Sequence, residues 1–146
     1  MGSAAMDCGS AAHEKPVAFL PPHAAPLGAV YYGGAMFPAL QGRLLMSWHG
    51  YRPSGSRLVS FDVDAKGVPV TVAHARFPEY TNTAVTWKDY RPGPAAEPTL
   101  LTPGWNLVPG QHPAGAPVGI TVARDGAIWV ADDRNAAILR IAVDRP

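Results

Sequence analysis

Cysteine is nearly absent. Cys8 is the single thiol in 146 residues, so no intrachain disulfide can form and a cysteine-rich zinc site is excluded. Charge of one sign is missing as well. Twelve Lys and Arg stand against eleven Asp and Glu, a formal net charge of +1, and the arginines are scattered rather than clustered. Nothing in that balance draws the chain towards nucleic acid or acidic lipid. No apolar run approaches the ~20 residues that a membrane-spanning helix needs. The N-terminal MGSAAMDCGSAAHEKP carries neither the charged nor the apolar region of a secretion signal. The expected partners therefore include neither nucleic acid nor membrane, and residues 1–16 read as a flexible N-terminal segment. A sustained helical period is also lacking.

What the chain does have is punctuation and short β-patterned runs. Sixteen prolines and fifteen glycines make up about a fifth of the residues, in a chain that is 47% hydrophobic with a mean hydropathy near zero. That combination is expected of a globular all-β chain with frequent turns. Strands are expected at LGAVYY (from Leu27), GRLLMSW (from Gly42) and RLVSFDV (from Arg57). A turn at Asp64-Ala65-Lys66-Gly67 then leads into VPVTVAHA. A second set follows: VGITVA (from Val118), the turn Arg124-Asp125-Gly126, AIWVA, the polar turn Asp132-Asp133-Arg134-Asn135, and ILRIAV. Between the sets, residues 77–117 form a long proline-rich loop, in which Thr99-Leu100-Leu101 reads as a short outer strand.

The two sets repeat one another. Ala25-Pro26-Leu27-Gly28 corresponds to Ala116-Pro117-Val118-Gly119, and Gly42 before LLMSW corresponds to Gly126 before AIWVA. RLVSFDVD ends on Asp64 as ILRIAVD ends on Asp144. A meander of about four strands, written twice, is the pattern of β-propeller blades. The expected fold is an all-β partial propeller over residues 17–146. Blade one covers about 24–105, and blade two about 116–146. VPVTVAHA is the expected fourth strand of blade one. Blade two supplies only three strands. In closed propellers the last blade is often completed by a strand from the other end of the chain, and none is evident in the N-terminal segment. Two blades leave open sheet edges and half a core, so further blades or self-association are expected.

PPHAAPLGAVYYGGAMFPALQGRLLMSWHGYRPSGSRLVSFDVDAKGVP is similar to the fifth-blade region of the PQQ-dependent glucose/sorbosone dehydrogenase family. GAPVGITVARDGAIWVADDRNAAILRI is similar to that family's closing blade. The resemblance runs from about Pro16 to the C-terminus. It implies a six-bladed parent propeller holding pyrroloquinoline quinone (PQQ) above its channel, with a Ca²⁺ ion that polarises the quinone. It also implies a sugar or small aldehyde substrate, whose hydride passes to the cofactor, and a periplasmic location. The catalytic histidine and the calcium ligands of such proteins belong to earlier blades, so this chain reads as a C-terminal fragment of the enzyme. One departure stands out. Where the family places arginines for the cofactor's carboxylates, this chain reads Gln111-His112-Pro113-Ala114-Gly115-Ala116-Pro117.

Residues on loops at the top of the channel are the candidates for chemistry. The resemblance places Trp48-His49-Gly50-Tyr51-Arg52 near the cofactor, with His49 as a hydrogen-bonding group and Arg52 as a carboxylate partner. His23, just ahead of the first strand, is a third cofactor-binding candidate, and His112 is its counterpart in the second copy. Trp87, Tyr90 and Trp105 are candidates for stacking on a sugar ring. Asp132-Asp133 with Asn135 has the look of an oxygen-ligand loop but lacks the full ligand series, and a hairpin turn explains those residues without a metal. The alternative function is a non-catalytic propeller-type binding or oligomerisation module.

Overall fold

The structure is a computed structural model, and it describes residues 20, 24–50, 55–70, 99–102, 105 and 114–144. Two antiparallel sheets account for nearly all its regular structure. The first has the order β1 (Pro26–Tyr31), β2 (Leu44–Trp48), β3 (Arg57–Phe61), β4 (Thr99–Leu100). The second has the order β5 (Pro117–Val122), β6 (Ile128–Asp132), β7 (Ala137–Ile141). Helix is confined, among the described residues, to one 3-10 turn at Pro38–Leu40, so no helix is long and apolar enough to cross a membrane. The sheets are two adjoining blades of a partial β-propeller.

The repeat visible in the sequence is a repeat of register. In β1, Pro26 faces Trp48 but Gly28 faces Ser47, so one residue is bulged out. In β5, Pro117 faces Asp132 but Ile120 faces Val130, the same one-residue bulge after the same proline. Each first hairpin then turns through a glycine at positive φ, Gly42 (75°) or Gly126 (87°), a conformation that a side chain disfavours. Trp48 faces Arg57 where Asp132 faces Ala137, so the second hairpins match as well.

The fourth place in the first sheet goes to the segment expected as a short outer strand. Thr99–Leu100 fills it by pairing with Val59 and Ser60. Of VPVTVAHA only residues 68–70 are described, and they make one isolated bridge, Val63 to Pro69. The physical reason is local. The Asp64 carboxylate accepts the N–H groups of Lys66 and Val68, and Gly67 sits at φ 80°, so the chain folds back on residues 62–64 instead of running beside β3. Arg43 fastens the outer strands, reaching Asp62, the Ser60 hydroxyl (3.0 Å) and the Thr99 hydroxyl (3.0 Å). The long loop and the N-terminal segment 1–16 lie mostly or wholly outside the described residues.

The blades share one core. Leu45 and Leu58 project from the first sheet, Ile128 and Val130 from the second, and Tyr32 closes the end, all of them buried. Each such side chain contributes about 1.5–3 kcal/mol on leaving water. The joint is also polar. Tyr32 donates its hydroxyl to the Gly126 carbonyl and accepts the Phe37 N–H. Ser47 accepts the Gly28 N–H and donates to the Val118 carbonyl of the other blade. The inner strands approach so closely that a Cβ on Gly28 would lie 2.7 Å from the Val118 oxygen.

The outward faces differ. On the first blade Ala24, Leu44, Trp48, Val59 and Phe61 are buried, with Leu20, Met46 and Val63 against them. On the second, Trp129 and Ile138 are exposed, lining a shallow apolar depression with Gly119, Thr121 and Ala131.

Candidate functional site

His49 is the first residue after β2, and Asp133 is the first residue after β6. Each lies seven positions beyond its blade's turn glycine, Gly42 or Gly126. The main chain treats the two alike. The His49 N–H donates to the Ala25 carbonyl at 3.0 Å, and the Asp133 N–H donates to the Ala116 carbonyl at 3.0 Å. Equivalent positions of adjoining blades thus meet at one rim, and the side chains join there, His49 Nε2 lying 3.2 Å from Asp133 Oδ2. The imidazole is largely covered, whereas the carboxylate is about two-thirds exposed.

The backbone around this pair is strained. Among the described residues three non-glycine residues have positive φ: Ala25 (48°), Ser56 (53°) and Ala136 (47°). Ala25 holds the His49 N–H. Ser56 closes the loop that His49 opens, its hydroxyl donating to the Gly50 carbonyl at 2.8 Å. Ala136 ends the turn that Asp133 begins, its N–H directed at the Asp133 carbonyl. Each such conformation costs on the order of 1–3 kcal/mol and persists only where its surroundings impose it. All three lie on the segments that place His49 and Asp133.

The neighbouring acid does a different job. Asp132 is buried, and its carboxylate accepts the Ala116 N–H (3.0 Å), the Asn135 N–H (3.3 Å) and the Asn135 side-chain amide (2.7 Å). Burial raises its pKa and is the largest single influence. The hydrogen bonds from Ala116, Asn135 and Arg134 more than offset it, and the carboxyl lies below its ordinary value. Asp132 therefore builds the turn, and Asp133 is the member of the twin acids that reaches the other blade.

Of the residues expected to carry chemistry, the structure places His49 on the inter-blade rim. Arg52, His23, His112, Trp87 and Tyr90 lie outside the described residues. Trp105 is partly buried, packed against the shared core beside Gly115. Asp133 was not singled out from the sequence as a partner of His49. The signal was present in the repeat, because the glycine-to-glycine alignment places the two residues at the same position of successive blades.

The groups implied by the resemblance do not fit the described residues. Among them no three His, Cys, Asp or Glu side chains gather to hold a metal ion. An exposed carboxylate beside His49 also repels the carboxylates of PQQ.

No protein-family model matches the chain, and no curated protein matches it. Among solved structures the chain is similar to the calcium structure of Trichoderma reesei Carbohydrate-Active Enzymes Family AA12, at 18% identity and a TM-score of 0.45. The match covers 80% of this chain and 24% of that one, so the chain spans about a quarter of that protein's length.

Proposed function

We propose that this chain is the C-terminal part of a PQQ-dependent sugar or aldehyde dehydrogenase of the glucose/sorbosone type, acting in the periplasm. The resemblance from Pro16 onwards supports the reading. The single structural observation that carries it is the pair of adjoining propeller blades that share one core. On this reading the calcium ligands and the proton-accepting histidine come from other blades, and His23 and Arg52 serve the cofactor.

Titration of the purified chain with PQQ and Ca²⁺, following quinone absorbance and protein mass together, tests the reading. Saturable binding near one cofactor per assembled propeller is expected. No binding by folded chains that have assembled into a propeller overturns it. The exposed Trp129 and Ile138 favour a second reading, a non-catalytic binding or oligomerisation module. A mass of two or three chains without PQQ binding is the result expected of that module.

A further inference from the structure

We propose that the exposed face of blade two, built on Trp129 and Ile138, is the docking face for a third propeller blade rather than for a second copy of this chain. The joint rests on the propeller fold and is independent of cofactor and substrate.

The chain contains its own template for the contact. Aligned on the turn glycines, Trp129 holds the place of Leu45 and Ala131 that of Ser47. Gly119 and Thr121 hold the places of Gly28 and Val30, and Ile138 holds that of Leu58. In blade one this face is covered by blade two, with Leu45 and Leu58 both 0% exposed against Ile128 and Val130. In blade two the same face is open, with Trp129 37% and Ile138 69% exposed. Stacked repeats bury each such face against the next repeat.

A second observation points to an approaching strand. A Cβ on Gly28 would lie 2.7 Å from the Val118 oxygen of the neighbouring blade, so the inner strands pass there only because the side chain is missing. At Gly119 a Cβ would meet only the Ala131 Cβ, at 3.8 Å. Gly119 is also not among the glycines at positive φ, so its own backbone does not call for glycine. A glycine inside a strand weakens it, and close approach of another backbone is a common reason for its presence. A blade docked on blade two as blade two docks on blade one supplies that backbone.

Copies of this chain stacked in the same sense do not fit. They would have to offer the face that blade two offers to blade one. Its counterpart on blade one, Leu44, Val59 and Phe61, is already buried, none of the three more than 7% exposed. The outer joint also differs in kind from the inner one. Ala131 lacks the hydroxyl that Ser47 donates to the Val118 carbonyl, and Ala123 stands where Tyr32 reaches Gly126. The contact is therefore apolar, with the Trp129 indole as its anchor in place of Leu45.

The test is an extended protein: the full chain, a flexible glycine-serine linker, and a further copy of residues 114–146 carrying Trp129→Phe. The added blade offers its Ile128 and Val130 to the original Trp129. Hydroxyl-radical oxidation of that Trp129, read by mass spectrometry, should fall severalfold relative to the unextended chain. Gly119→Val in the original blade should restore the oxidation, while the unextended chain carrying it keeps its dispersed amide signals. Protection that survives Gly119→Val overturns the close approach. An added blade that leaves Trp129 as reactive as before, folded or not, overturns the docking face. Protection of Trp129 in the unextended chain at rising concentration, with a doubled mass in light scattering, gives the face to a second copy and overturns the third blade. If PQQ fails to bind while the added blade covers Trp129, the cofactor reading falls and this joint stands.

Discussion

The hydroxyl of Tyr32 spans the joint between the blades, donating to the Gly126 carbonyl at 2.7 Å while accepting the Phe37 N–H at 3.0 Å. Tyr32 is 1% exposed, so removing that oxygen strands a buried donor and a buried acceptor together. Tyr32→Phe should lower stability by about 1–3 kcal/mol, measured by urea unfolding, with little change in m-value. A loss well under 1 kcal/mol means that the joint does not depend on this bridge.

Gly28 and Gly119 hold the same place in the two repeats but face different surroundings. A Cβ at Gly28 meets the Val118 oxygen at 2.7 Å, whereas one at Gly119 meets only the Ala131 Cβ at 3.8 Å. Gly28→Ala should push the inner strands apart and cost about 1–3 kcal/mol. Gly119→Ala should be nearly neutral. Equal losses in the two variants, by thermal unfolding, contradict the asymmetry.

Ile128 and Ile138 make a second contrast, on opposite faces of one sheet. Ile128 is 2% exposed in the shared core and Ile138 is 69% exposed. Ile128→Ala should cost about 2–5 kcal/mol. Ile138→Ser should stay within roughly 0.5 kcal/mol for the monomer. If the chain self-associates through this face, the same substitution should lower its mass in light scattering.

Asp132 sets an acid limit on stability. Its folded pKa is depressed, so its contribution is fully present above the unfolded value of about 3.9 and is lost as pH falls through the lower folded value. Asp132→Ala should therefore destabilise by about 1–3 kcal/mol at neutral pH and by less at pH 3. A gap that stays constant between those conditions means that hydrogen bonding by the ionised form is not what matters there.

The strands and their pairing were legible because they are written locally and twice. Proline, bulge glycine and turn glycine recur in the same order, and alternating apolar residues mark which face is buried. The Asp64 turn was readable for the same reason, since Asp and Gly carry its geometry themselves. Thr99–Leu100 was legible as a short outer strand, but its pairing with β3 was not, because pairing between segments far apart in sequence leaves no local mark. The site was half legible. His49 stood out by chemistry and resemblance, but its partner lies 84 residues away on another blade. Nothing about a second aspartate in a polar turn separates it from the first until burial does, turning Asp132 inward and Asp133 outward.

The second sheet ends on β7, and among the described residues no strand lies where β4 lies beside β3. Its sequence, AILRI, is short, β-prone and interrupted by a single charge. Arg140 is that charge, held by Asp125 at 2.6 Å with its guanidinium 6.0 Å from the Trp129 ring. Any strand that pairs with this edge meets a fixed cation one residue before its end. A charge held on an edge strand in this way disfavours edge-to-edge pairing with another chain.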